Sequence, residues 1–201
     1  MTSSFAVDTK PDLPPKPSEL VVARICHDLG NALGVVSNAL ELATLSGAGS
    51  NELDFAGESA GLSVARLKFL RLAFGAAKTE DLPLSAVLSC FHAQDRQAVP
   101  DIRLDGDDPF LDGRQARLCA LLLMVCRSAL PRGGPISVSA TGGFGFRASP
   151  AQKIPGFDLL ESRQSQCDSR DIHFLLAREA AAELGLAISS DFTGDTLSLS
   201  C

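Results

Sequence analysis

The chain has 201 residues, 45% of them hydrophobic and 21% charged, enough to bury a core of one or two domains. Its 18 Lys and Arg against 24 Asp and Glu leave a net charge of -6 with no basic run, which argues against nucleic acid and anionic membranes as partners. The longest apolar run, Leu118 to Cys126, falls far short of the roughly 20 residues that span a bilayer.

Met1 to Pro17 carries Lys10 and Lys16 among Pro11, Pro14, Pro15 and Pro17 without an apolar centre, so it is expected to be a disordered tail and not a signal peptide. From Ser18 to about Leu45, Val22, Ile25, Leu29, Leu33, Val36, Leu40 and Ala43 step by three and four, one stripe on a helix with Ser18 as its expected N-cap. Ser46 to Asn51 reads as the tip of a helical hairpin. A second helix is expected from about Glu52 to Ala77, with Leu53, Ala56, Ala60, Ser63, Leu67, Leu70, Phe74 and Ala77 on one stripe and Leu62, Ala65, Phe69, Leu72 and Ala76 on another. So wide an apolar face exceeds what one antiparallel neighbour covers, and a second copy of the hairpin is the simplest cover.

After Lys78-Thr79-Glu80-Asp81 the pattern changes to short elements joined by Gly and Pro, marking a boundary near residue 80. The expectation is a tail at 1–17, a hairpin at 18–79 and a small α/β domain at 80–201, an α+β fold overall. In the second domain the pattern predicts helices at Pro83 to His92, Arg114 to Leu130 and Ser169 to Leu184. It predicts strands at Ile102 to Leu104, Ile136 to Ala140, Phe144 to Ala148, Leu186 to Asp191 and Thr196 to Cys201. Four or more strands beside three helices suggest a sheet covered on one face. Without a CxxC pair, the six cysteines read as buried free thiols of a reducing, cytoplasmic protein.

His27 lies two residues from both Ile25 and Leu29, about 200° around the helix from each, and is expected to point outward. Ala23, Arg24, Gly30, Asn31 and Gly34 share its face, a small-residue strip that leaves room for another protein. An exposed neutral imidazole can attack an acyl phosphate; Asp28 can orient the ring or take its proton, and Arg24 can offset phosphoryl charge. On spacing alone a solvated surface histidine is the default, and His92 and His173 are expected to be solvated or capping. Pairing the helices about a tip near Ala48 sets His27 level with Phe69, so Arg66, Phe69 and Arg71 join the expected docking surface.

Ala23-Arg24-Ile25-Cys26-His27-Asp28-Leu29 followed by Asn38-Ala39-Leu40-Glu41-Leu42 resembles the H-box of sensor histidine kinases and, more closely, ChpT-type histidine phosphotransferases. Ala65-Arg66-Leu67-Lys68-Phe69-Leu70-Arg71-Leu72-Ala73-Phe74-Gly75-Ala76 resembles that family's second-helix stretch, and Ala129-Leu130-Pro131-Arg132-Gly133-Gly134 its later helix-to-strand turn. The resemblance implies a homodimer whose hairpins form a four-helix bundle, followed by a degenerate histidine-kinase ATP-binding domain. It implies that His27 is phosphorylated, with Asp28 as the adjacent acid, and that phosphoryl groups pass to and from receiver-domain aspartates of a hybrid histidine kinase and of response regulators. Mg²⁺ would come from the receiver, the chain holding no cofactor or metal of its own. Ala32 stands where the family often has Pro.

A live kinase site needs helix asparagines for Mg²⁺, but the same alignment puts Leu121 and Val125 there, and apolar side chains cannot ligate a hard cation. Gly142, Gly143 and Gly145, lacking a following G-K-[ST], read as a hairpin turn. A phosphorelay transferase is therefore expected ahead of a dimeric adaptor without chemistry and of an ATP-dependent histidine kinase.

Overall fold

The computed structural model describes residues 14–45, 50–76, 80–95, 98–99, 101–161 and 166–201. Most of the expected tail, the hairpin tip at 46–49 and the linker at 77–79 lie outside the described residues.

Helix α1 runs unbroken from Pro17 to Leu45, past Ala32. Its start corrects the expected Ser18 cap: the helix opens with Pro17, whose missing N–H costs nothing there, and the Glu19 carboxylate accepts from the Lys16 amide at 3.0 Å. Helix α2, Ser50–Phe74, turns back along it. The seam is built from small side chains, Ala39 and Ala43 on α1 with Ala56, Ser59 and Ser63 on α2, all buried. The Ser63 hydroxyl is satisfied inside its own helix by the Ser59 carbonyl at 2.8 Å. Small residues in the seam leave the larger ones outside: Val22, Leu33, Leu40, Leu53, Val64 and Leu67 are exposed in the protomer. Among the described residues α1 alone has the length and apolar composition that could cross a bilayer.

The remainder begins with β1 (Leu82–Pro83), α3 (Leu84–Asp95), β2 (Ile102–Asp105), β3 (Phe110–Leu111) and α4 (Gly113–Ser128). It continues with β4 (Ile136–Ser139), β5 (Gly145–Ala148), a 3₁₀ turn at Pro155–Phe157, α5 (Asp158–Glu161), α6 (Ile172–Glu183), β6 (Ser189–Thr193) and β7 (Thr196–Ser200). β1 and β3 form a two-residue ribbon, and the main sheet has the order β2-β4-β5-β7-β6, parallel only between β2 and β4. Alternation sends Ile136, Val138, Phe146, Ala148, Leu197 and Leu199 into the core beneath α4 and α6. Ser137, Ser139, Arg147 and Ser198 face the other way, so the sheet is covered on one face as the pattern implied.

Helix α4 is set by a capping box. The Asp112 side chain accepts from the Arg114 and Gln115 amides, and the Gln115 side chain accepts in return from the Asp112 amide. Leu121 and Val125, the positions aligned with kinase asparagines, are fully buried on it. The glycine cluster is the β4–β5 turn. Gly143, at φ 136°, lies where a Cβ would come 2.5 Å from the Cys201 carbonyl, and Phe144 and Cys201 exchange backbone hydrogen bonds there. Cys119 and Cys126 are buried in the core, but Cys26 is exposed on α1, against the expectation that all six would be buried.

One core spans hairpin and sheet. Phe69 and Ala73 of α2 belong to the cluster of α3, α4 and α6, with Phe69 packed edge-on against Phe91 at 5.2 Å.

Candidate functional site

His27 stands out from α1 with 66% of its side chain exposed. Asp28, the next residue, is turned about 100° around the helix and is only 17% exposed. Its Oδ1 lies 3.3 Å from His27 Nδ1, while Asn31 Nδ2 lies 3.4 Å from His27 Nε2. An ionised carboxylate and an amide NH₂ offer complementary roles: Nδ1–H donates to Asp28, and Nε2 keeps its lone pair and accepts from Asn31. Both contacts are longer than a well-formed hydrogen bond; the one to Asp28 is backed by charge, and the one to Asn31 is the more readily displaced. Nε2 is thus the ring nitrogen that keeps a lone pair, on a side chain two thirds exposed.

Of the expected docking residues, Ala23, Gly30, Asn31, Gly34 and Arg71 are exposed. Nothing lies within 4 Å of a Cβ built at Gly30 or Gly34. Two expectations need correction. Phe69 is 1% exposed, because α2 lays it against Phe91 in the shared core, and it is closed to any docking partner. Arg24 bends inward: its Nε donates to Asp28 Oδ2 at 2.8 Å and its Nη1 to the Arg170 carbonyl at 2.8 Å. Arg66 is half-buried and reaches Gln94 Oε1 at 3.4 Å.

Arg24, Asp28 and Arg66 meet Asp95, Arg127 and Ser128 around a cleft of about 280 Å³ between the hairpin and α3–α4. The cleft brings Arg24 and Asp28 to the level of Arg66 and Leu70, close to the register read from the hairpin. Its charges are largely matched: Arg127 Nε pairs with Asp95 at 2.7 Å, and its Nη1 donates to the Leu130 carbonyl at 2.6 Å.

Next to this cleft lies a histidine whose environment was misjudged. His173, expected to be solvated or capping, is 1% exposed in the first turn of α6, with Nε2 2.9 Å from Ser128 Oγ. The signal that would have found it is a partner 45 residues away. Its Nδ1 is buried and makes no well-formed hydrogen bond among the described residues, although the Arg170 carbonyl is near enough to favour its proton. Burial chiefly, and the Arg24 charge secondarily, push its pKa down to about 3, against the opposing pull of the Arg170 carbonyl and Asp28. An unfolded histidine takes its proton near pH 6.5, so the folded chain binds fewer protons below that value. The stabilising contribution is whole above about pH 6.5 and is lost as pH falls toward 3. Urea titrations from pH 7 to pH 4 are expected to show a steeper loss of stability for the wild type than for His173→Asn.

Known proteins resemble both parts of this arrangement. The family profile of the histidine phosphotransferase C-terminal domain matches residues 84–196. Protein phosphotransferase ChpT of Brucella abortus (strain 2308) is 31% identical over 125 residues, 61% of this chain and 60% of the relative, so the match spans about three fifths of that protein. A bacterial phosphotransferase of known structure superposes with a TM-score of 0.80 at 25% identity, covering 94% of this chain and 99% of the other.

Proposed function

The chain belongs to the histidine phosphotransferase family, and from that premise we propose that it relays phosphoryl groups between receiver-domain aspartates through Nε2 of His27. The observation that carries this reading is an exposed imidazole with a carboxylate at Nδ1 and only a long contact from the Asn31 amide at Nε2. In the forward step the Nε2 lone pair attacks the phosphorus of an aspartyl phosphate. The N–P bond forms as the P–O bond breaks, and the receiver's carboxylate leaves. The ring becomes a phosphorylated imidazolium whose Nδ1 proton Asp28 stabilises and then accepts. The reverse step passes the group to a second receiver. Mg²⁺ held by each receiver would neutralise the phosphoryl oxygens. The test is incubation with a receiver domain phosphorylated on its aspartate: acid-labile, alkali-stable label on this chain supports the reading, and none ends it.

Receivers of a hybrid histidine kinase and of response regulators are the partners this reading requires, docking on Ala23, Gly30, Asn31, Gly34 and Arg71, where α1 and α2 are open. The setting is then cytoplasmic. The alternative of an ATP-dependent kinase is not favoured, because Leu121 and Val125 lie inside the core. A dimeric adaptor leaves the carboxylate tether on His27 without a purpose.

The same reading makes the chain a homodimer. Val22, Leu33 and Leu40 fall at heptad spacings on α1, as do Leu53, Val64 and Leu67 on α2, and Leu33 is 60% and Leu67 42% exposed. A second hairpin on these stripes completes a four-helix bundle. Lipid is a poorer cover, since Arg24, His27 and Asp28 lie within the N-terminal half of α1. Leu33→Glu combined with Leu67→Glu is expected to convert a dimer to a monomer in sedimentation equilibrium. A wild type that sediments as a monomer would remove the dimer.

A further inference from the structure

Arg24 and Asp28 form an i,i+4 pair on α1 at 2.8 Å, but in the order that stabilises a helix less, with the base N-terminal to the acid. Support of α1 is therefore a poor account of it. The second contact of the same guanidinium is more telling. Nη1 donates at 2.8 Å to the carbonyl of Arg170, 146 residues away, in the turn that leads into α6. That turn is not free to drift. The first residues of α6, Ile172, His173 and Phe174, are buried, and His173 Nε2 meets Ser128 Oγ at the end of α4 at 2.9 Å. The carbonyl that receives Arg24 thus belongs to the packed frame of the sheet-bearing part.

The Asp28 carboxylate is divided between two neighbours. Oδ2 takes Arg24 and Oδ1 takes His27 Nδ1. A carboxylate alone on a helix surface rotates broadly about χ2, and a ring hydrogen-bonded to it would follow. Here the guanidinium fork is fixed from behind, at 23% exposure, and the ring in front is 66% exposed.

We infer that Arg24 is a positioning residue through which the second domain aims His27: the Arg170 carbonyl fixes the guanidinium, the guanidinium fixes Asp28, and Asp28 holds the imidazole as the Nδ1–H tautomer with Nε2 outward. This rests on the phosphoryl-carrier reading for its purpose, not for its geometry. It gives a domain without kinase asparagines a part in the transfer.

The experiment compares full-length wild type, Arg24→Lys, Arg24→Met and Asp28→Asn by ¹⁵N NMR of the histidine rings and by phosphotransfer from a phosphorylated receiver. Lysine keeps the charge and nearly the length, but a single ammonium cannot serve the carboxylate and the carbonyl in the planar fork of arginine. In the wild type His27 is expected to be mainly the Nδ1–H tautomer. Both Arg24 variants are expected to shift it toward a mixture, as Asp28→Asn does, and to slow transfer about 10-fold with receiver affinity unchanged. Arg24→Lys carries the test if Arg24→Met fails to fold. An unaltered tautomer in folded Arg24→Lys overturns the proposal, whether transfer is unchanged or slowed, because Arg24 is then only a tie between domains. A wild type that accepts no phosphoryl group removes the carrier reading, while the ring spectra still decide the positioning.

Discussion

His27→Ala is expected to take no acid-labile label from a phosphorylated receiver over times in which the wild type saturates, a loss of roughly 10³-fold or more. The magnitude follows from the absence of a substitute histidine beside it. Among the described residues His173 is buried and kept neutral against Ser128, and His92 lies in the last turn of α3, on a different element from His27. The effect is purely chemical, because a side chain that is two thirds exposed contributes little to folding, within about 0.5 kcal/mol. Asp28→Asn is expected to fall between, about 10²-fold slower, since an amide can still touch the ring but cannot accept its proton. Label that survives His27→Ala would locate the chemistry elsewhere.

The second large effect is on stability. Phe69→Ala removes a side chain that is 1% exposed and packed edge-on against Phe91 where α2 meets α3. Truncating such a phenylalanine costs about 3–5 kcal/mol. For a chain of this size that is roughly 10 °C or more in Tm, read by thermal unfolding at fixed protein concentration. Receiver binding, measured where the variant is still folded, is expected to be unchanged. A variant of normal Tm that binds receivers weakly would return Phe69 to the docking surface.

Both predictions bear on how far the sequence could be read. Periodicity located α1 and α2 well, since their apolar residues recur at 3.6-residue spacing over many turns. On the seam it was right in part: the expected stripes held Ala43, Ala56 and Ser63, which are buried, but they passed over Ala39 and Ser59, small and weakly hydrophobic, and took in Leu33 and Leu40, which are exposed in the protomer. His27 and Asp28 were legible because they are adjacent on one helix. Arg24 was assigned to the right helix face but to the wrong task, since only tertiary structure brings the Arg170 carbonyl to it. Phe69 and His173 were misjudged for the same reason: a helix position does not say what is packed against it. The ribbon of β1 and β3 and the turn of α5 are too short to carry a period at all.

The core shared by Phe69, Ala73 and Phe91 has a consequence for association. A kinase must carry its nucleotide domain across to its histidine, and needs a joint that opens. Here Phe69 and Ala73 of α2 are buried in the core of the sheet-bearing part, which ties the two parts together beside the cleft. A receiver docking as proposed would then meet a surface whose shape is set beforehand. Ordering the joint costs it nothing, and the free energy of encounter is left to discriminate one receiver from another.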